Sequence, residues 1–246
     1  MKILVIGESC TDIFHYGESS RLCPEGPVPV FNSIDIIKNS GMAKNVESNL
    51  RAFGSNVDII TNDNWETITK TRFVDLNSNH MFLRVDKYDD QFGELQKSTI
   101  DKINFIDYDA VIVSDYNKGF LSETMMTWIA TLHEKVFLDT KKILGEWCND
   151  FAFIKINNKE YEATKHTISG ILSKKTIRTR GPIGSTLLSK TYKVPTVEVK
   201  DTSGAGDTFI SALCYKFVET NDIHKSIAFA NECSTKVVQK RGVSTV

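Results

Sequence analysis

The chain has 246 residues, is 41% hydrophobic and 25% charged, and carries 14 glycines and 5 prolines, which excludes a disordered or fibrous polymer and favours one globular domain. Its 30 basic and 31 acidic residues form no long run of one sign, so nothing electrostatic calls for nucleic acid or an acidic membrane as partner; a small ligand is expected. The five cysteines (Cys10, Cys23, Cys148, Cys214, Cys233) are scattered, form no C-x-x-C pair and have no histidine cluster beside them, so reduced thiols and a cytoplasmic location are expected.

The first element is the short apolar run at residues 3–7 of "MKILVIGE", too short for a signal peptide, and no later run approaches a membrane span. "GPVPVFNSIDIIK" then reads as a half-buried strand, "AKNVESNLRAFG" as a helix ending at Gly54, and "VDII" at 57–60 as a strand. In "TRFVDLNSNHMFLRVDKYD", a second half-buried stretch, Met81, Leu83 and Val85 share one face while Phe82, Arg84 and Asp86 share the other. A helix is expected over 94–105, a strand at 110–115, and a helix opening at Ser122 as N-cap. Strands at 136–139 and 151–156 follow, and two more helices after Asp207 and Asp222. Runs apolar on both faces belong in a parallel sheet covered on both sides, and alternation with helices gives an α/β layered fold. The two half-buried stretches form either a small sheet standing off the body, as a lid or a dimer surface, or an ordinary edge hairpin. There is no internal repeat, low-complexity tract or linker.

Residues 201–209 read "DTSGAGDTF" and run into the amphipathic "ISALCYKF". The first N–H groups of a helix lack intrahelical partners and sit at the positive end of its dipole, so they can hold an anion. If a helix starts near Asp207, the amides of Gly204, Ala205, Gly206 and Asp207 point into one concavity that small residues leave open to a phosphate. A carboxylate there is a poor phosphate ligand but a useful base for a hydroxyl attacking that phosphate. The plainer alternative is that Asp207 caps the helix and the glycines make a turn.

"DTSGAGDTFISA" resembles, position by position, the C-terminal signature of the ribokinase-type (PfkB) carbohydrate kinases. "GESCTDIFHYGESSRLCPEGPVPVF", "TKTRFV" with "FLRVD", "VIVSDYNKGFL", "TRGPIGSTLL" and "RGVSTV" follow that family's order. The match is most like the D-glycero-D-manno-heptose-7-phosphate kinase domains of bifunctional heptose kinase/adenylyltransferases. The resemblance implies a ribokinase-like three-layer α/β/α fold with a mainly parallel central sheet and a small β-strand lid. Residues 1–246 would form a single kinase domain, with lid strands within 14–37 and 70–88, and lid strands that could pair across a homodimer. The substrates implied are ATP and a small sugar phosphate, with Mg2+ as cofactor. The Gly-Ala-Gly turn (Gly204, Ala205, Gly206) would be the anion hole and Asp207 the base.

The same resemblance gives the other positions their roles. Asn157 and Glu160 of "NNKE" match an N-x-x-E motif that organises magnesium, partly through water; alone they would read as a solvated helix start. Thr179, Gly181 and Gly184 of "TRGPIGS" match the nucleotide-binding turn, otherwise a common two-glycine turn, and Asn231 and Gly242 fall where the adenine pocket is built. Asp12 and Asn45 match sugar-contacting residues, with Gly41 in the same signature, and Arg21, Arg72, Arg84 and Lys118 are candidates to hold a phosphate already on the sugar.

Three departures qualify the match. The signature's glycine pair and its small residue after Asn-Val read Gly41-Met42 and Glu47, which puts a bulky side chain and a charge in the sugar-contacting region. After "NVDIITN" the family's next strand and helix are missing, so a trimmed sheet or smaller lid is expected. No H-x-G-H nucleotide-transfer motif is present, leaving nucleotide activation of any product to a separate protein. Two rival readings remain beside heptose 7-phosphate phosphorylation: a family kinase for another sugar, sugar phosphate or nucleoside, and a sugar-phosphate-binding regulator without catalysis.

Overall fold

The computed structural model describes residues 1–246. In chain order its strands are β1 (Lys2–Gly7), β2 (Ser9–Glu18), β3 (Asn32–Met42), β4 (Asn56–Ile60), β5 (Thr69–Asp75), β6 (Met81–Lys87), β7 (Ala110–Asp115), β8 (Val136–Thr140), β9 (Phe153–Asn157), β10 (Thr176–Thr179), β11 (Ser185–Leu187) and β12 (Lys190–Tyr192). The helices are α1 (Ala43–Ala52), α2 (Lys97–Ile100), α3 (Glu123–Thr131), α4 (Asn158–Thr164), α5 (Gly170–Lys175), α6 (Ala205–Thr220) and α7 (Ile223–Val237).

An eight-stranded sheet of order β12-β11-β10-β9-β8-β7-β1-β4 forms the centre. It is parallel from β10 through to β4, and antiparallel only where β10, β11 and β12 meet. The doubly apolar runs explain this placement: Leu4, Ile6, Val111 and Val113 pack on one side with α3 and α5, while Ile3, Val5, Ala110 and Ile112 pack on the other with α1, α6 and α7. The three-layer expectation therefore holds. β4 is an edge strand, and only residues 61–68 separate it from β5, so no helix follows it and the sheet is trimmed there.

A second sheet of order β3-β2-β5-β6 is the lid. Its first two strands reach beyond the expected 14–37, from Ser9 to Met42, so the lid grows directly out of β1 and into α1, while the other two, from Thr69 to Lys87, fall within one residue of the expected 70–88. The helix expected over 94–105 shrinks to α2 and a 3-10 turn, Phe105–Asp107. Ser122 caps α3 as expected, its side chain accepting from the Met125 N–H at 3.2 Å, and Asp222 caps α7.

Candidate active site

The segment 201–207 joins the sheet's open end to α6. Asp201 Oδ1 accepts from the Ser203 N–H at 2.8 Å, and Gly204, at φ 78°, is the N-cap. The helix thus starts at Ala205, and Asp207 occupies its third position rather than its cap, which rules out the plain capping alternative. Its buried carboxylate is held from two sides: Tyr116 Oη donates to Oδ1 at 2.6 Å and Asn45 Nδ2 donates to Oδ2 at 2.8 Å. Burial pushes the carboxyl up to about 6, against the Tyr116 and Asn45 hydrogen bonds and Lys155, which pull it down. The Ala205 N–H donates to Thr202 O at 3.3 Å, whereas the Gly204, Gly206 and Asp207 amides bond to nothing in the chain. Three of the four amides expected to face an anion are therefore free.

Three cavities meet at this segment. One of about 280 Å³ is lined by Asp12, Met42, Lys70, Arg72, Arg84, Tyr116, Lys118, Ser203, Gly204 and Asp207. A second of about 360 Å³ shares Tyr116, Gly204 and Asp207 and adds Asp139, Lys141, Lys155, Asn157, Thr179, Thr202 and Gly206. The third, about 290 Å³, runs from Thr202, Ala205 and Gly206 to Thr179, Gly181, Gly184 and Asn231. Asp207 lines both of the first two cavities and stands where they join.

The first cavity lies between lid and body. Asp12 on β2 pairs with Arg72 on β5 at 2.5 Å, and Arg84 on β6 pairs with Asp86 at 2.6 Å. Lys70 and Lys118 both pair with Asp89. Gly41 is buried in the β2–β3 ladder, where a Cβ would lie 2.2 Å from Asp12 Oδ2, so its role is to leave room for that carboxylate. The loop carrying Tyr116 and Lys118 is pinned by buried Glu8, whose Oε2 accepts from the Tyr116 N–H at 2.8 Å and Oε1 from the Lys118 N–H at 3.0 Å. Burial, with Asp115 adding, raises the Glu8 carboxyl above its ordinary value.

Three expectations need correction here. Arg21 is exposed on the connection between β2 and β3 and lines none of the three cavities. Asn45 donates to Asp207 and does not line the first cavity. Glu47 does not enter that cavity: it pairs with Lys44 and Arg51, each at 2.9 Å, along α1 itself. Met42 does line it, as expected. Lys70 and Tyr116 were not read from the sequence.

The second cavity is dominated by charge. Asp139, at the end of β8, is buried between Lys155 at 2.8 Å and Lys141 at 3.4 Å; burial alone would raise its carboxyl, but the two ammonium groups hold it below the ordinary range. Asn157 and Glu160 form a capping box on α4: Asn157 Oδ1 accepts from the Glu160 N–H at 2.9 Å and Glu160 Oε2 from the Asn157 N–H at 2.6 Å. Lys141 reaches Glu160 at 2.8 Å. No cluster of three or more His, Cys, Asp or Glu side chains is placed to hold a metal ion. A lysine inside the buried run "FIKIN" was the available signal for Lys155.

In the third cavity Thr179 ends β10 and the 3-10 turn Gly181–Ile183 follows it. Gly184 sits at φ 94°, and a Cβ there would lie 2.0 Å from Tyr192 O, so only glycine lets β11 and β12 close behind the turn. Asn231 on α7 donates to Tyr192 O at 2.9 Å and faces the cavity. Gly242 does not: its neighbours are Tyr16, Asn39 and Phe14 of the lid, so the C-terminal segment braces the lid instead of lining this cavity.

Comparison with known proteins agrees with this geometry. The family model described as pfkB family carbohydrate kinase matches residues 42–246. Among curated proteins, the bifunctional protein HldE of Helicobacter pylori strain J99 is 31% identical over 293 residues, covering 98% of this chain and 63% of its own length. That of Hydrogenovibrio crunogenus is 29% identical over 300 residues, with 100% and 61% covered. The chain thus spans under two thirds of these relatives, and because the alignments are longer than its 246 residues, the relatives carry segments it lacks. Among solved structures, a ribokinase from Thermotoga maritima has TM-score 0.68 at 16% identity, covering 98% of this chain and 94% of its own. Arabidopsis thaliana ribokinase, solved with ribose and ATP, has TM-score 0.69 at 15% identity, with 98% and 93% covered.

Proposed function

Because the chain belongs to the pfkB family of carbohydrate kinases, whose members phosphorylate sugars with ATP, we propose that residues 1–246 act as one kinase unit on the anomeric hydroxyl of a heptose 7-phosphate. The observation that carries this is the position of Asp207 at the junction of two cavities, one rich in cations and one bounded by free helix amides. Asp207 takes the proton of the anomeric O–H, the oxygen forms a bond to the γ-phosphorus of ATP, and the bond to the β–γ bridging oxygen breaks to release ADP. The Gly204, Gly206 and Asp207 amides, with Lys155 and Lys141, face the charge that builds on the transferring group. Lys70, Arg72, Arg84 and Lys118 supply a cationic lining for the phosphate carried by the sugar, which supports a phosphorylated acceptor over a free sugar. Thr179, Gly181, Gly184 and Asn231 line the nucleotide side.

Magnesium fits the donor set in one way. Glu160 is already engaged by the Asn157 cap and Lys141, so Asn157, Glu160 and Asp139 suit an ion held through its waters with phosphate oxygens as direct ligands, not a protein cage. Such an ion would offset charge on the nucleotide phosphates. The cytoplasm is the proposed compartment, supported by five unpaired cysteines; no helix is long and apolar enough to cross a membrane.

The test is ADP release from magnesium-ATP with heptose 7-phosphate, fructose 6-phosphate, mannose 6-phosphate, ribose, fructose and adenosine. Turnover confined to the heptose phosphate, and at least about a hundredfold lower in Asp207→Asn with nucleotide binding intact, is expected for a lost general base. Turnover on another acceptor would keep the mechanism and replace the substrate; full activity in Asp207→Asn would refute the base.

A further inference from the structure

On the face of the sheet opposite the nucleotide-side cavity lies a separate cavity of about 390 Å³. Strand alternation explains it. Along β10 and just past it, Thr179 and Gly181 line the nucleotide side, while Arg178 and Arg180 point the other way. Arg178 stands opposite Thr186 on β11, and Thr186 opposite Thr191 on β12, so two arginines and a row of hydroxyls share one wall.

The charge there is not balanced. Arg178 is engaged: its Nε donates to Asn158 Oδ1 at 2.9 Å, a terminal nitrogen reaches Glu162 Oε1 at 3.0 Å, and its guanidinium lies 3.8 Å from the Tyr161 ring centroid. Glu162 is shared with Lys165 at 2.7 Å. Arg180 has no carboxylate partner, and its Nε is shielded from solvent without a hydrogen-bond acceptor. The hydroxyls of Thr186, Ser189 and Thr191 bond to no protein group, whereas those of Ser173 and Thr176 are taken by backbone carbonyls. A half-buried guanidinium whose Nε has no acceptor, beside three hydroxyls free of protein partners, offers its donors to a group with several oxygens.

We propose that this cavity is a second anion site, for a small phosphate-bearing molecule, with Arg180 as its fork and Thr186, Ser189 and Thr191 as hydroxyl donors. It is coupled to the nucleotide turn. Arg180 is the N-cap of the 3-10 turn Gly181–Ile183, and its N–H donates to Gly184 O at 2.7 Å. An anion that fixes the guanidinium fixes the residue from which the turn springs, so occupancy changes nucleotide affinity. The coupling rests on the kinase reading of that turn; the anion binding does not.

The probes are inorganic phosphate and glycerol 3-phosphate, titrated calorimetrically into the whole chain without turnover, in wild type, Arg180→Gln, Thr191→Val and Arg84→Gln. Arg84→Gln controls for anion capture in the acceptor cavity. Loss of a charge-assisted fork should weaken binding of the better probe at least about tenfold in Arg180→Gln, and more weakly in Thr191→Val, while Arg84→Gln retains it. ADP affinity should shift with phosphate in wild type and not in Arg180→Gln. If Arg180→Gln fails to fold, Arg180→Lys, which keeps the charge without the fork, should show intermediate affinity. Equal phosphate affinity in wild type and in the Arg180 variant, or loss only in Arg84→Gln, overturns the site. Anion binding without any change in ADP affinity overturns the coupling alone.

Discussion

As the proposed base, Asp207 must be ionised to work, yet it is buried, and burial raises its carboxyl from 3.8 to about 6. The folded chain therefore binds this proton more tightly than the unfolded one. The stabilisation is complete below the unfolded value and is lost as pH rises through about 6. A shift of this size corresponds to roughly 3 kcal/mol, the cost of keeping a charged base where a hydroxyl can reach it. Two outcomes are expected. The kcat/KM profile should fall on its acid side near pH 6, and in Tyr116→Phe, which removes a donor that favours the ionised form, that limb should move to higher pH. Urea unfolding of Asp207→Asn across the same range should lose the part of the pH dependence that Asp207 contributes. A wild-type profile flat through pH 5 would show that another group takes the proton.

Where β3 passes into α1, Met42 is the N-cap, at φ 58° and ψ −130°, a conformation that side chains other than glycine rarely adopt. The chain tolerates it because Met42 is buried in the core cluster beneath the acceptor cavity. Burial and backbone strain pull in opposite directions. Removing the side chain costs about 2–5 kcal/mol, while relieving the backbone returns about 1–3 kcal/mol. Met42→Gly should therefore be less destabilising than Met42→Ala, the reverse of the usual order in which glycine is worse by about 0.5–1 kcal/mol. Thermal or urea unfolding of the two variants decides it, and the usual order would mean that the junction is unstrained. Elements were legible where burial was simple: β7 and β8 are apolar on both faces and lie where expected. The helix at 94–105 was not, because its buried residues Leu95, Ile100 and Phe105 recur at steps of five, which no single helical face provides. The loop 201–207 was legible because its chemistry is local in sequence. Tyr116, Lys70, Lys141 and Asp139 were not, because they reach the site from the end of β7, from β5 of the lid and from the end of β8, and only the folded sheets bring these together. Arg21 and Gly242 were misplaced for the converse reason, since a motif position does not fix where a loop carries its side chain.

Across the whole molecule, the lid presents two faces of opposite character. Register places Phe14, Arg72 and Arg84 in one row across β2, β5 and β6, with Arg72 and Arg84 turned to the acceptor cavity. The adjacent row, Ile36, His15, Phe73 and Leu83, faces away, with His15 and Phe73 stacked at 4.8 Å. Ile34, Ile36, Leu83 and Val85 are each about half exposed, and β3 and β6 are both edge strands with unpaired backbone groups. A cationic inner face that lines the proposed acceptor cavity and an apolar outer face that contacts nothing in this chain fit a second copy packed against the lid. That packing would also stiffen the strands carrying Arg72 and Arg84, so dimerisation and acceptor binding should be linked. Sedimentation should therefore give a dimer for the wild-type chain and a monomer for Leu83→Lys, which puts a charge in the outer row without touching the inner one. The monomer should keep its nucleotide affinity but have a raised KM for the acceptor. A monomeric wild type, or a Leu83→Lys variant that stays dimeric, would remove the lid from the interface. A monomeric variant with an unchanged acceptor KM would leave the interface in place and sever its link to the site.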